Sequence, residues 1–167
     1  MKKMLLLSFA LLATTFIFAQ DAKPQASPAA KAEGKIGDNT IVISYFQPAV
    51  KGRKIWGDLV PFDKVWRTGA NNATTITLSK DLKIGDKTLA AGRYAIFTIP
   101  TATDWTFIFN KDADQWGAYD YKQKSDVLRV KATSAKSDTF NERMTFAVKE
   151  KAIVLMWENL AVTLGVN

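Results

Sequence analysis

There is no cysteine and no histidine in this chain of 167 residues. The first absence removes disulfides as a source of stability and thiols as nucleophiles. The second removes the imidazole base of Ser-His-Asp and Cys-His pairs. Together they remove the usual zinc ligands. Enzymatic chemistry would have to run on carboxylates, Lys, Tyr or Ser. No segment carries a sustained 3.6-residue apolar period. No phosphate-binding loop, dinucleotide fingerprint or nucleophile elbow is present. The glycines of GDK, AAGR and RTGANN read as turns. No cofactor, no metal and no catalytic residue is therefore expected.

The N-terminus is the one long apolar run. Lys2 and Lys3 precede an uncharged stretch, Met4 to Ala19, with the layout of a cleavable export signal over residues 1–19. At ~1.5 Å rise per residue the run is short for ~30 Å of hydrocarbon. The expected location is periplasmic or secreted, with no integral membrane segment after cleavage. The remaining chain of about 150 residues is a one-domain length. Residues 20–37, rich in Ala, Pro and Lys, read as a flexible linker, and the folded domain is expected over 38–167. The formal charge of +7 comes mostly from scattered lysines, the signature of a solvated basic surface. Export argues against nucleic acid as a partner and leaves an envelope glycan or another envelope protein.

What fills the domain is alternation. Asn39 to Phe46 is β-branched and aromatic and runs to Pro48. Ala73 to Ser79, Arg93 to Pro100, Asp104 to Asn110, Val127 to Thr133, Arg143 to Lys149, Ala152 to Trp157 and Leu160 to Val166 follow the same two-residue period. Leu82 to Ile84 and Lys87 to Leu89 flank Gly85-Asp86, a type II′ hairpin by its first glycine. About nine or ten short strands with turns between them predict an all-β fold, a single antiparallel β-sandwich or flattened barrel.

Two segments break the period. The first, Lys51 to Ile76, reads KGRKIWGDLVPFDKVWRTGANNATTI. It mixes Arg53, Trp56, Trp66, Arg67 and Asn71, and Pro61 interrupts any helical turn in it. Indole faces stack on sugar C–H groups, and amide and guanidinium groups reach hydroxyls. The plainer reading is that the rings plug the end of the sandwich and Arg67 pairs with a carboxylate or caps carbonyls. The second segment, Asn110 to Tyr121, reads NKDADQWGAYDY. Asn110, Asp112 and Asp114 have the alternate spacing of a calcium loop, but Gln115 stands where the sharp-turn Gly belongs and Tyr121 where the bidentate Glu belongs. Asn110, Asp112, Trp116 and Tyr119 are the binding candidates here. The plainer reading is an ordered loop with polar turn caps.

Four blocks of this chain, KGRKIWGDLVPFDKVWRTGANNATTI, KIGDKTLAAGRYAIFTIP, DWTFIFNKDADQWGAYDY and DVLRVK, resemble, in order, the exported bacterial domain-of-unknown-function family 2911. The likeness spans roughly Ile41 to Trp157. It implies a small exported all-β domain and brings no activity with it. The matching positions are Gly52-Arg53, Trp56-Gly57, Trp66 to Asn71, Asn110 to Asp112 and Trp116-Gly117. The expectation is a non-catalytic binding or structural module of the cell envelope, glycan-binding in its sharper form. The alternative is a carboxylate-dependent hydrolase acting on envelope polysaccharide. The exposure of Trp56, Trp66, Arg67 and Trp116 separates site from plug.

Overall fold

A computed structural model describes residues 25–167. The export signal expected over residues 1–19 and the first linker residues, 20–24, lie outside the described residues. The strands are β1 (Ala29–Ile36), β2 (Asn39–Phe46), β3 (Thr74–Leu78), β4 (Leu82–Ile84), β5 (Lys87–Leu89), β6 (Gly92–Ile99), β7 (Asp104–Asn110), β8 (Asp126–Lys149) and β9 (Ala152–Gly165). Seven form one antiparallel sheet in the order β1-β2-β3-β6-β7-β8-β9, and β4-β5 form a separate hairpin. Among the described residues the only helical piece is a 3-10 turn at Gln123–Ser125, and no helix is long and apolar enough to cross a membrane. The hairpin turn is as its sequence predicts: Gly85 has φ +61° and Asp86 is not left-handed, the type II′ pattern.

The sheet curls until its two ends nearly meet. β8 and β9 run 24 and 14 residues, and their register shifts twice, between Lys136 and Asn141 and between Asn141 and Thr145. Such shifts bend and twist a ribbon. The far half of β8 then reaches back across the sheet. Val50 N–H donates to the Glu142 carbonyl at 2.8 Å and Met144 N–H to the Pro48 carbonyl at 3.0 Å. The Tyr45 hydroxyl accepts the Phe146 N–H at 3.2 Å. Opposite β1, a Cβ on Gly34 would sit 2.7 Å from the Val148 Cβ, so the close approach needs glycine there.

The linker expected over 20–37 is corrected by β1. It pairs with β2 along its whole length, from Ala29 opposite Phe46 to Ile36 opposite Asn39. Its Ala and Gly residues are what an edge strand lying under β8 requires, and they hide the usual apolar signal. The strands expected at Val127–Thr133 and Arg143–Lys149 are one strand, as are those at Ala152–Trp157 and Leu160–Val166.

Alternation sets the core. Ile41, Ile43 and Tyr45 of β2, Ile96 of β6 and Trp105, Phe107 and Phe109 of β7 point inward with Met144, Phe146, Leu155 and Trp157. Each such side chain contributes roughly 1.5–3 kcal/mol on burial. The outer face of β6 and β7 carries a smaller cluster. There Ala95, Phe97 and Ile108 pack with Ala73, and Val65, Ala118 and Tyr121 cover them. That second cluster positions the candidate site, because it seats the two irregular segments side by side.

Candidate functional site

The first segment divides by side. Trp66 makes both backbone hydrogen bonds to Thr98 of β6, at 2.8 and 2.9 Å, which turns its ring inward and Arg67 outward. Trp66 is only 9% exposed. It stacks on Trp157 with centroids 6.0 Å apart and planes 16° apart. Trp56, half-buried, meets Trp105 and Trp157 edge-on at 5.1 and 5.6 Å. Four of the five tryptophans thus form one packed cluster; the buried Trp66 is corrected from ligand candidate to packing residue, and the half-buried Trp56 packs against it. Arg53 also turns inward on its own segment, donating from Nε to the Val50 carbonyl at 3.1 Å and from Nη2 to the Ala49 carbonyl. It serves as a turn cap. No helical turn forms over Lys54–Val65; Ile55 and Val60 are pinned by a turn bond of 2.9 Å.

The second segment is pinned from inside. Asn110 is fully buried. Its Nδ2 donates to the Lys122 carbonyl at 3.1 Å and to Asp126 Oδ1 at 2.8 Å. Its Oδ1 accepts the Asp112 N–H at 3.0 Å and Gln115 Nε2 at 3.3 Å. The Asn-x-Asp spacing is therefore an Asx turn rather than half of a metal loop, and no group of three or more Asp or Glu suited to a metal forms among the described residues. Asn110 is thereby corrected from ligand candidate to structural pin, whereas Asp112 joins this network through its backbone alone and leaves its carboxylate exposed. A second anchor lies one layer down. The Tyr121 hydroxyl donates to Asp126 Oδ2 at 2.6 Å, and Arg129 Nε meets the same oxygen at 2.8 Å. Burial, reinforced by the bond to Asp126, pushes the Tyr121 phenol up to about 12.

Between these anchors the loop presents its aromatics to solvent. Trp116 is 61% exposed and Tyr119 is 82% exposed. The two segments also meet. Asn72 and Trp116 form an antiparallel bridge. Ala73 N–H donates to the Gln115 carbonyl at 3.0 Å and Gly117 N–H to the Asn71 carbonyl at 3.1 Å. Gly117 is the meeting point. Its φ of +64° suits glycine, and a Cβ there would lie 2.9 Å from the Tyr119 ring and 3.8 Å from Arg67 Nη1. Sequence reasoning placed Trp116, Tyr119, Arg67 and Asn71 in one set, and the fold brings those four together. It gave no role to Gln115, whose side chain packs under the loop, although the Trp-Gly pair marked the glycine.

The turn feeding this junction is strained. Thr68 has φ +56° and Asn71 φ +55°. For a β-branched residue that conformation is an outlier. It is held by the Thr68 hydroxyl against Thr98 Oγ1 at 3.1 Å and by Thr74 Oγ1 donating to the Thr68 carbonyl at 2.7 Å. Beside the junction a cleft of about 470 Å³ opens over the outer face of β1 to β3. Phe46, Thr75, Asn72 and Gln115 line it, with Lys31 and the Arg93–Asp114 pair also on its walls. That pair is bidentate at 2.8 Å, and Arg93 holds the Asp114 carboxyl below its ordinary range.

Fold and site define an all-β domain built around a turn-to-loop junction with exposed aromatic rings. The chain belongs to the family described as a protein of unknown function, DUF2911, which matches residues 27–166. The match starts just before β1, in keeping with that strand's place in the domain. No curated protein and no solved structure matches the chain.

Proposed function

We propose that this chain is an exported, non-catalytic binding module of the cell envelope, and that its ligand is a glycan held at the Gly117 junction. The observation that carries this reading is the exposure of Trp116 and Tyr119 on a loop that is otherwise fixed. Exposed rings on a mobile loop need no explanation. Exposed rings on a loop pinned by the Asn110 and Asp126 networks keep their orientation before a ligand arrives, which lowers the cost of binding. Ring faces take the C–H side of a sugar. The Asn72 amide, exposed beside Trp116, supplies hydrogen bonds to hydroxyls. The adjoining cleft is within the usual range of small-ligand sites. Hydrolysis draws no support from this arrangement. Asp114 is committed to Arg93 and shifted down, whereas a general acid needs a raised carboxyl.

The test is an array of envelope glycans probed with the full chain, followed by calorimetric titration of the hits. Binding that falls at least tenfold in Trp116→Ala, with an unchanged melting temperature, supports the reading. An array that stays blank, or hits that Trp116→Ala binds equally well, removes it.

A further inference from the structure

The geometry points to an oxyanion on the ligand, a carboxylate or phosphate, received by the Arg67 guanidinium. This deepens the glycan reading and rests on it for the rest of the ligand. The chain has five arginines. Arg93 pairs with Asp114 and Arg129 with Asp126. Arg53 and Arg143 cap backbone carbonyls. Arg67 alone has a guanidinium with no hydrogen-bond or ion-pair partner among the described residues, and its Nε is buried without an acceptor. A charged donor shut away from water normally finds a partner. The sequence reading that it would pair with a carboxylate or cap carbonyls is not met by this structure.

The residue is also held in place for such a role. Its carbonyl accepts the Thr74 N–H at 3.1 Å, and the preceding Trp66 is bonded on both sides to Thr98. The carboxylates of Asp114 in the neighbouring segment and of Asp126 at the start of β8 already serve Arg93 and Arg129, so they do not compete for Arg67. Nη1 comes within 3.8 Å of the point above Gly117 that the Tyr119 ring also flanks. A side chain in place of Gly117 would fill that point. A guanidinium presents a planar fork that matches a carboxylate or phosphate. Placed beside an exposed ring, it describes a receptor for an acidic sugar, a uronate or a sugar phosphate.

The Arg67 Nε–H resonance in ¹⁵N-labelled full chain tests this directly, with glucuronate, inorganic phosphate and neutral methyl glucoside as probes. The expected result is a saturable shift with one or both anions and none with methyl glucoside; the anion that shifts it further identifies the source. Arg67→Gln should weaken the anionic probe roughly ten- to a hundredfold, the worth of a charged hydrogen bond, with Arg67→Lys in between. A resonance indifferent to both anions overturns the inference, and because it is read on the unmodified chain it holds even where Arg67→Gln fails to fold. Neutral glycans bound through Trp116, with no effect of Arg67→Gln, leave the glycan reading standing and overturn this one. Anion binding that needs Arg67 but not Trp116 does the reverse.

Discussion

Replacing Trp66 with alanine removes the centre of the four-ring cluster. The side chain is almost wholly buried, stacked on Trp157 and edge-on to Trp56 and Trp105 at 6.1 and 6.3 Å. Truncating a buried aromatic costs ~3–5 kcal/mol. Three ring contacts, each adding ~0.5–1.5 kcal/mol beyond buried area, place this case at the upper end, about 4–5 kcal/mol. That is a large share of the ~5–15 kcal/mol that holds a domain together. For a domain of this size it lowers the melting temperature by roughly 8–20 °C at ~2–4 °C per kcal/mol. Urea unfolding followed by far-ultraviolet circular dichroism measures the loss, and the near-ultraviolet spectrum reports the broken cluster. Trp116→Ala, on the exposed ring, should stay within ~0.5 kcal/mol of the parent. A loss below ~1 kcal/mol for Trp66→Ala, or equal losses for the two, would refute the division into packing and presenting rings.

Asn110→Ala should cost about 2–3 kcal/mol by orphaning several buried groups at once, and hydrogen exchange should show residues 111–125 opening first. Gly117→Ala forces a Cβ into the Tyr119 ring at positive φ; ligand affinity should fall well before global stability does, as paired calorimetric and thermal measurements will show. Tyr121 should ionise late, near pH 12. Because its folded pKa is raised, the stabilisation it brings is complete below the unfolded value of ~10 and is lost as pH rises through 12. Near-ultraviolet phenolate absorbance should show that late step, and Tyr121→Phe should abolish it.

Most of the fold was legible in the two-residue period. Trp105, Phe107 and Phe109 declared a buried face, and Gly85-Asp86 declared its turn. β1 was not legible, because a strand of Ala, Lys and Gly packed under Val148 lacks the apolar residues that mark strands elsewhere. The union of the long β8 escaped for a related reason: its middle, SAKSDTFNE, lies on an exposed ribbon and alternates with nothing. The site was legible as two segments set side by side, but not in which of their rings face solvent. In an irregular segment no period says which way a ring points, so Trp56 and Trp66 read like Trp116 until the Thr98 pairing turned Trp66 inward. Asn110 read as a binding candidate because turn caps and ligand contacts draw on the same polar residues, and only the fold shows its amide spent inside the loop.

The central claim is that one tryptophan of five presents itself to a ligand while four hold the fold. Five indole N–H resonances make that a single measurement, a titration of ¹⁵N-labelled chain with a glycan that binds. The account predicts that the Trp116 indole and the Gly117, Asn71 and Asn72 amides move together, while the Trp56, Trp66, Trp105 and Trp157 indoles stay in place. Shifts confined to the buried four, or to the opposite end of the domain at β4 and β5, would contradict it.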